Sequence, residues 1–177
     1  MPRAFVALGT NMPFGGVSGA DLLSQALGSI SARGVLVRAV SSAWESEAQP
    51  RGEQPDYVNA VALLDVGTRT PEELYDQLAA TEHAFGRTRS VHWGPRTLDL
   101  DIVDFAGIVS ADGGIITPHP RMHERAFVLA PLAELDPDWR HPVTHAPVAA
   151  LLRKVEHQRI RRLGALPGHV AQLPQDD

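Results

Sequence analysis

The sequence predicts an α+β fold with an antiparallel sheet, whose core has the order strand, helix, strand, strand, helix, strand. Short apolar or β-branched runs predict the strands, and segments with apolar residues at helical spacing lie between them. Two runs joined only by a loop, 35–43 and 57–66, are typical of an antiparallel pair. A C-terminal strand and further helices are expected after this core.

The first half of the chain predicts a strand, a helix and two more strands. Residues 4–8 are an apolar run that ends at a Gly-Thr-Asn turn, as expected for a central strand. Residues 21–32 carry apolar side chains at helical spacing, and Arg33-Gly34 ends that helix. The next predicted segments are a strand over 35–43, a loop over 45–56 rich in proline and acidic residues, and a strand over 57–66.

The second half predicts a helix with a well-defined start. Thr70 is its expected N-cap, Pro71 its first residue, and Glu73 completes a capping box. The helix should end near Phe85, and the strand over 97–105 completes the ferredoxin-like βαββαβ order. Beyond it we predict a strand at 115–116, helices over 125–135 and 146–156, one domain over 1–163, and a flexible tail over 164–177.

The composition excludes several classes of protein. With 16 basic and 21 acidic residues the formal net charge is -5, which argues against general binding to nucleic acid or to a membrane surface. There are no cysteines, so disulfides, thiolate metal sites and a cysteine nucleophile are excluded. The start MPRAFVALGTN has too short an apolar run for a signal peptide, and no later run approaches transmembrane length. We therefore expect a cytoplasmic location; a monomeric state is a separate expectation.

The segment HWGPRTLDLDIV, from His92 to Val103, holds two acidic residues at strand spacing. Side chains alternate along a strand, so Asp99 and Asp101 should share one face, about 7 Å apart. The pair could belong to an ordinary solvated strand face. However, Asp is depleted in strands and like charges on one face repel, so the arrangement is unfavourable unless a cation neutralises it.

Basic side chains precede the acidic pair. Cations beside two carboxylates indicate a polyphosphate with bound magnesium. Arg96 is three residues from Asp99 and would face away from it in a regular strand, so we expect Arg96 to lie in the preceding loop or the strand to be irregular there. The basic residues are Arg87, Arg89, His92 and Arg96.

Two further clusters suit the recognition of phosphate and of a flat ring. Arg and His crowd together immediately before an apolar helix, where a helix N-terminus favours phosphate oxygens. Zinc is disfavoured there because the HExxH glutamate and cysteines are lacking. Tyr57 and Asn59 share one strand face and could stack on and hydrogen-bond a heterocycle, although Tyr57 could equally be a packing residue. The residues of the first cluster are His119, Arg121, His123 and Arg125.

Five segments, in their order along the chain, resemble hallmark segments of the 6-hydroxymethyl-7,8-dihydropterin pyrophosphokinases of folate biosynthesis. They are ALGTN, PDYVNA, EHAFGRTR, HWGPRTLDLDIV and PHPRMHERAFVL, and the resemblance covers about residues 3–160. It implies an ATP-binding transferase that moves a pyrophosphoryl group from ATP to the hydroxymethyl oxygen of the dihydropterin and releases AMP. It also implies two Mg²⁺ ions, with ATP and the pterin as the ligands.

The resemblance further implies roles for individual residues. Asp99 and Asp101 match the aspartates that hold the two magnesium ions, and with Arg87 and Arg96 they form the expected catalytic set. No residue is expected to act as a general base, because neutralised phosphates held in line with the hydroxyl need none. The expected ATP-binding residues are Glu82, Arg87, Arg89, Trp93, Arg96, His119 and Arg125. The expected pterin-binding residues are Ser46, Tyr57, Asn59, Trp93, Asp99 and Phe127.

Two other functions compete with this interpretation. A ferredoxin-like RNA-binding module would carry paired aromatics in a strand motif, which the sequence lacks, and the net charge disfavours it. Another magnesium-dependent nucleotidyltransferase could use the same Asp pair. It would release pyrophosphate from ATP, whereas a pyrophosphokinase releases AMP.

Overall fold

The computed structural model describes residues 2–48, 52–87, 96–112 and 114–169, which form six strands and four α-helices. Residues 1 and 113 and the segments 49–51, 88–95 and 170–177 lie outside the described residues. In chain order the elements are β1 (Arg3–Thr10), α1 (Gly19–Ala32), β2 (Leu36–Val40), β3 (Ser42–Ser46), β4 (Tyr57–Asp65), α2 (Pro71–Ala84), β5 (Asp99–Phe105), a 3₁₀ turn (Met122–Glu124), α3 (Ala126–Leu135), α4 (Val148–Lys154) and β6 (Ile160–Ala165).

The strands form one sheet in the order β5-β1-β4-β3-β6, with β2 also paired to β4, and every pairing is antiparallel. Counting β2 and β3 as one interrupted strand, the order of elements is the predicted βαββαβ, so the fold class is confirmed. The strand predicted over 35–43 is broken at Ser41. The Ser41 N–H donates to Val61 O and the Ser41 hydroxyl accepts from the Val61 N–H, so a side chain replaces one backbone partner.

The sheet is covered on both faces, which is why its central strands are apolar almost throughout. Val6 and Leu8 of β1 belong to the core beneath α1 and α2, whereas Phe5 belongs to a second core beneath α3 and α4. On β4, Leu64 faces the first core and Val61 the second. Alternate residues of one strand therefore fill two different layers, as strand geometry requires.

The start of α2 follows its sequence signals. The Glu73 N–H donates to Thr70 Oγ1 at 3.2 Å and the Thr70 N–H donates to Glu73 Oε2 at 2.8 Å, which is the predicted capping box. The helix predicted over 146–156 is shorter, because Pro147 is its N-cap and Val155 its C-cap. None of the helices in the described ranges is both long and apolar enough to cross a membrane.

The C-terminal region differs from its predicted form. The strand predicted at 115–116 was wrong: only an isolated bridge between Ser110 and Thr117 forms there, and the C-terminal strand is β6 instead. Packing also continues past the predicted domain boundary at 163, since Leu166 is 2% exposed in the core beneath α1 and α2. A flexible tail stays a prediction for 170–177, which lie outside the described residues.

Candidate active site

A cavity of about 480 Å³ opens on the face of the sheet that α3 covers, just beyond the N-terminus of that helix. Its floor follows from the register: Gly9 of β1 pairs with Asp99 of β5 on one side and with Asn59 of β4 on the other. A Cβ at Gly9 would lie 3.3 Å from Asn59 Oδ1 and 3.7 Å from Tyr57 Cδ1, so glycine keeps the floor open. The lining includes eight predicted site residues: Ser46, Tyr57, Asn59, Arg96, Asp99, Asp101, Arg125 and Phe127.

The two aspartates share a strand face, as their spacing predicted, but differ in their partners. Asp99 Oδ1 accepts a hydrogen bond from Arg96 Nη1 at 2.8 Å and lies 3.2 Å from Arg87 Nη2. Within the described part of the chain, the Asp101 carboxylate has no hydrogen bond or ion pair. Burial, and then the charge of Asp99, raise the pKa of Asp101 above its ordinary value. Asp101 is thus a half-buried carboxylate that no Lys, Arg or His side chain of the described residues pairs with.

Arg96 lies in the loop before β5, so one of the two arrangements expected from its spacing to Asp99 is the one observed. Asn11, at the end of β1, fixes this loop: its Oδ1 accepts the Arg96 N–H at 2.8 Å. The Asn11 Nδ2 donates to Gln54 Oε1 and to Pro55 O, both at 3.1 Å. Sequence reasoning treated Asn11 only as a turn residue, because nothing local to it indicates that two distant loops meet there.

Glu82 does not line the cavity but connects two elements beside it. From the last turn of α2, its Oε1 accepts the Leu100 N–H at 2.8 Å and its Oε2 pairs with Arg87. Burial raises the pKa of Glu82, although the hydrogen bonds from Leu100 and Arg87 oppose this shift. Glu82 therefore attaches α2 to β5 and helps to hold Arg87 against Asp99.

The aromatic end of the cavity is organised around Asn59. Its Nδ2 donates to Ser46 Oγ at 2.8 Å and to Trp44 O at 3.2 Å, so both amide hydrogens are used and Oδ1 remains as an acceptor. Tyr57 lies two residues away on the same face, and burial raises its pKa. Phe127, in the first turn of α3, adds an aromatic ring to the lining.

The basic segment before α3 separates into residues that reach the cavity and residues that do not. Arg121 and Arg125 line it, whereas His119 is not among the lining residues. His119 Nδ1 accepts the Arg121 backbone N–H at 3.1 Å. Burial, followed by the charges of Arg125 and Arg121, lowers the pKa of His119 to about 4. His123 instead packs its ring edge-on against His141, at 5.1 Å between centroids.

The predictions for Arg89 and Trp93, and for the neighbouring His92, fall in 88–95, outside the described residues, and stay predictions. Sequence reasoning did not assign Gly9 or Glu47 to the site, and it named Arg121 only as part of the phosphate-suited cluster before α3; all three line the cavity. Among the described residues no group of three or more His, Asp or Glu side chains could hold a metal ion by itself. A metal at Asp99 and Asp101 would need further oxygen ligands from water or substrate.

Comparison with known proteins shows what this chain is similar to. A family model for 7,8-dihydro-6-hydroxymethylpterin-pyrophosphokinase matches residues 5–137. A Synechocystis protein named 2-amino-4-hydroxy-6-hydroxymethyldihydropteridine pyrophosphokinase is 41% identical over 70% of this chain and 62% of its own. A Pseudomonas aeruginosa protein of the same name is 40% identical over 79% of this chain and 84% of its own.

Solved structures share the fold. In a crystal structure of wild-type Plasmodium falciparum HPPK-DHPS with SDX-DHP, the matched region has a TM-score of 0.64 at 12% identity. It covers 87% of this chain and 43% of the Plasmodium chain. This chain thus spans less than half of that protein, and 62% of the Synechocystis relative.

Proposed function

Because this chain belongs to the 7,8-dihydro-6-hydroxymethylpterin-pyrophosphokinase family, we propose that it transfers a pyrophosphoryl group from ATP to the hydroxymethyl oxygen of 6-hydroxymethyl-7,8-dihydropterin, releasing AMP. The observation that carries the proposal is the cavity itself, where a carboxylate pair, free arginines and aromatic rings meet within reach of one polyphosphate and one ring. The family match supports neither an RNA-binding module nor a nucleotidyltransferase.

We propose that Asp99 and Asp101 bind Mg²⁺ together with the phosphates, with two ions as the expected number. The support is Asp101, a half-buried carboxylate with no cationic partner among the described residues, beside a second carboxylate on the same face. Mg²⁺ favours one or two carboxylates completed by phosphate oxygens and water, which fits two aspartates rather than an all-protein cage. When bound, magnesium neutralises the phosphate charge that would otherwise repel the incoming hydroxyl.

The arginines around Asp99 are proposed to exchange partners when nucleotide binds. Arg87 and Arg96 pair with Asp99, and both guanidinium groups can instead donate to phosphate oxygens. The hydroxymethyl oxygen then forms a bond to the β-phosphorus while the bond from that phosphorus to the α–β bridging oxygen breaks. AMP leaves, and the hydroxyl proton passes to water. Glu82 acts by holding Arg87, and Arg125 and His119 remain proposed phosphate-side residues.

The pterin is proposed to lie at the aromatic end of the cavity. Tyr57 and Phe127 offer ring faces, and the Asn59 Oδ1 can accept a hydrogen bond from a ring-edge N–H. Ser46 fixes the Asn59 amide, so it orients the acceptor instead of stacking. Cytoplasmic location, a monomeric state and the absence of nucleic-acid binding stay predictions from the sequence.

The decisive experiment is product analysis with ATP, Mg²⁺ and 6-hydroxymethyl-7,8-dihydropterin. The expected result is AMP in equal amount to the pyrophosphorylated pterin, with no AMP when the pterin is left out. Pyrophosphate release in place of AMP would instead support a nucleotidyltransferase. If no product forms that depends on the pterin when Mg²⁺ and ATP are both present, the proposal is overturned.

A further inference from the structure

We infer that Arg121 is an additional phosphate-binding residue of this cavity, which contacts the β- and γ-phosphates of the nucleotide; the inference rests on the proposed function. Arg121 precedes the 3₁₀ turn, and its exposed side chain lines the cavity together with Arg125. The roles implied by the family resemblance include Arg125 but not Arg121.

The first argument is the lack of a counter-ion. The cavity arginines fall into two groups, because Arg96 is paired with Asp99 whereas the guanidinium groups of Arg121 and Arg125 have no hydrogen bond or ion pair within the described ranges. The acidic residue nearest in sequence, Glu124, lies instead 3.7 Å from His123 Nε2. A cavity wall that carries unneutralised guanidinium groups is suited to an anion.

The second argument is the shared wall of the cavity. Arg121 and Arg125 line the same cavity as Asp99 and Asp101, and the 3₁₀ turn before α3 lies between the two arginines. A polyphosphate bound at the two aspartates and extending along this wall would therefore have two guanidinium groups beside it.

The backbone and side chain of Arg121 have separable tasks. Its N–H holds His119 Nδ1 at 3.1 Å, which places the proton of the neutral imidazole on Nε2. Substitution of the side chain keeps this backbone donor. A loss of nucleotide affinity on substitution can therefore be attributed to the guanidinium group and not to a displaced His119.

The test is calorimetric titration with Mg²⁺ and α,β-methylene-ATP, and separately with AMP, of the wild-type protein and three variants. Arg121→Ala should weaken analogue binding about tenfold, the effect of one charge-assisted hydrogen bond, with AMP affinity changed less than twofold. Arg121→Lys should recover part of the loss, because it keeps the charge but not the planar fork. The control is Arg153→Ala on the exposed side of α4, which removes the same charge outside the cavity and should leave both affinities unchanged.

Turnover gives a second measurement, in which Arg121→Ala should raise the KM for ATP about tenfold and leave the KM for pterin unchanged. Analogue affinity within twofold of wild type in Arg121→Ala would overturn the inference while leaving the proposed function intact. Equal losses for AMP and the analogue would also overturn it, because Arg121 would then contact the α-phosphate or the nucleoside. Failure of the wild-type protein to bind the analogue would overturn the proposed function as well.

Discussion

Asp99 and Asp101 lie on the same face of β5, but their different surroundings should make their substitutions change the free energy of unfolding in opposite directions. Asp101→Asn should raise the free energy of unfolding of the metal-free protein by about 1 kcal/mol, because it removes a desolvated charge beside a like charge. Asp99→Asn should lower it by about 1 kcal/mol, since Arg87 and Arg96 lose their shared partner. Chemical denaturation in EDTA measures both.

Turnover of the two variants should nevertheless fall together, by at least about a hundredfold, because each removes a proposed magnesium ligand. The exposed Asp76→Asn variant on α2 is the matched control, and it should change neither turnover nor the free energy of unfolding. Equal stability changes for Asp99→Asn and Asp101→Asn would contradict the assigned difference in their partners.

His119 should make the stability of the protein depend on pH. Its pKa is about 4 in the folded state, against about 6.5 in an unfolded chain. Between these values the unfolded state binds more protons, so the free energy of unfolding should fall as the pH drops from 6.5 to 4. Urea unfolding of His119→Gln over this range should show a smaller fall than wild type. The same fall in both would contradict the prediction, and His157→Gln on the surface serves as control.

Among the helices and strands, the features that depend on neighbouring residues could be predicted from the sequence. The start of α2 is specified by Thr70, Pro71 and Glu73, which are neighbours in sequence, so its capping box could be predicted. The break at Ser41 could not, because it depends on the hydrogen bond from Val61, twenty positions away. The site follows the same rule. The spacing of Asp99 and Asp101 can be read from neighbouring residues, whereas the hydrogen bond from the Arg96 loop to Asn11 joins residues far apart in sequence.

Asn11 connects the end of β1 to two loops, at 54–55 and before β5. Its substitution should reduce turnover more than the loss of unfolding free energy alone would suggest. Asn11→Ala removes its side-chain hydrogen bonds to Arg96, Gln54 and Pro55, at a cost of about 1–3 kcal/mol in unfolding free energy. Because Arg96 is then less well placed at Asp99, kcat should fall by at least about tenfold.

Thr70→Ala is the control for Asn11→Ala. It removes a cap of α2 and costs about 1 kcal/mol, but the cap lies at the end of the helix opposite to Glu82. Its kcat should match wild type when measured well below the melting temperature. A kcat of Asn11→Ala as high as that of Thr70→Ala would show that the loop attachment is not needed for turnover.

Magnesium and the nucleotide should stabilise the folded protein far more together than magnesium does alone. Arg87 and Arg96 both pair with Asp99, so magnesium without phosphate must compete with two guanidinium groups for this second carboxylate. Magnesium alone should therefore raise the melting temperature little. Magnesium with an ATP analogue at a hundred times its Kd should stabilise by about 2.7 kcal/mol, or roughly 5–11 °C for a domain of this size. Scanning calorimetry with each ligand alone and with both measures this. An equal rise with magnesium alone would contradict it.

The pairing of β3 with β6 has a consequence for how the chain is made. Ser42 and Ala43, near the start of the chain, pair with Ala165 and Gly164, and Ser46 pairs with Ile160. Ribosomes add about 5–20 residues per second, so β3 must wait several seconds before its outer partner has been synthesised. During that time the edge of β3 opposite β4 has no partner, and other nascent chains could pair with it. Translation pauses between these strands should therefore lower the yield of folded protein more than pauses after β6.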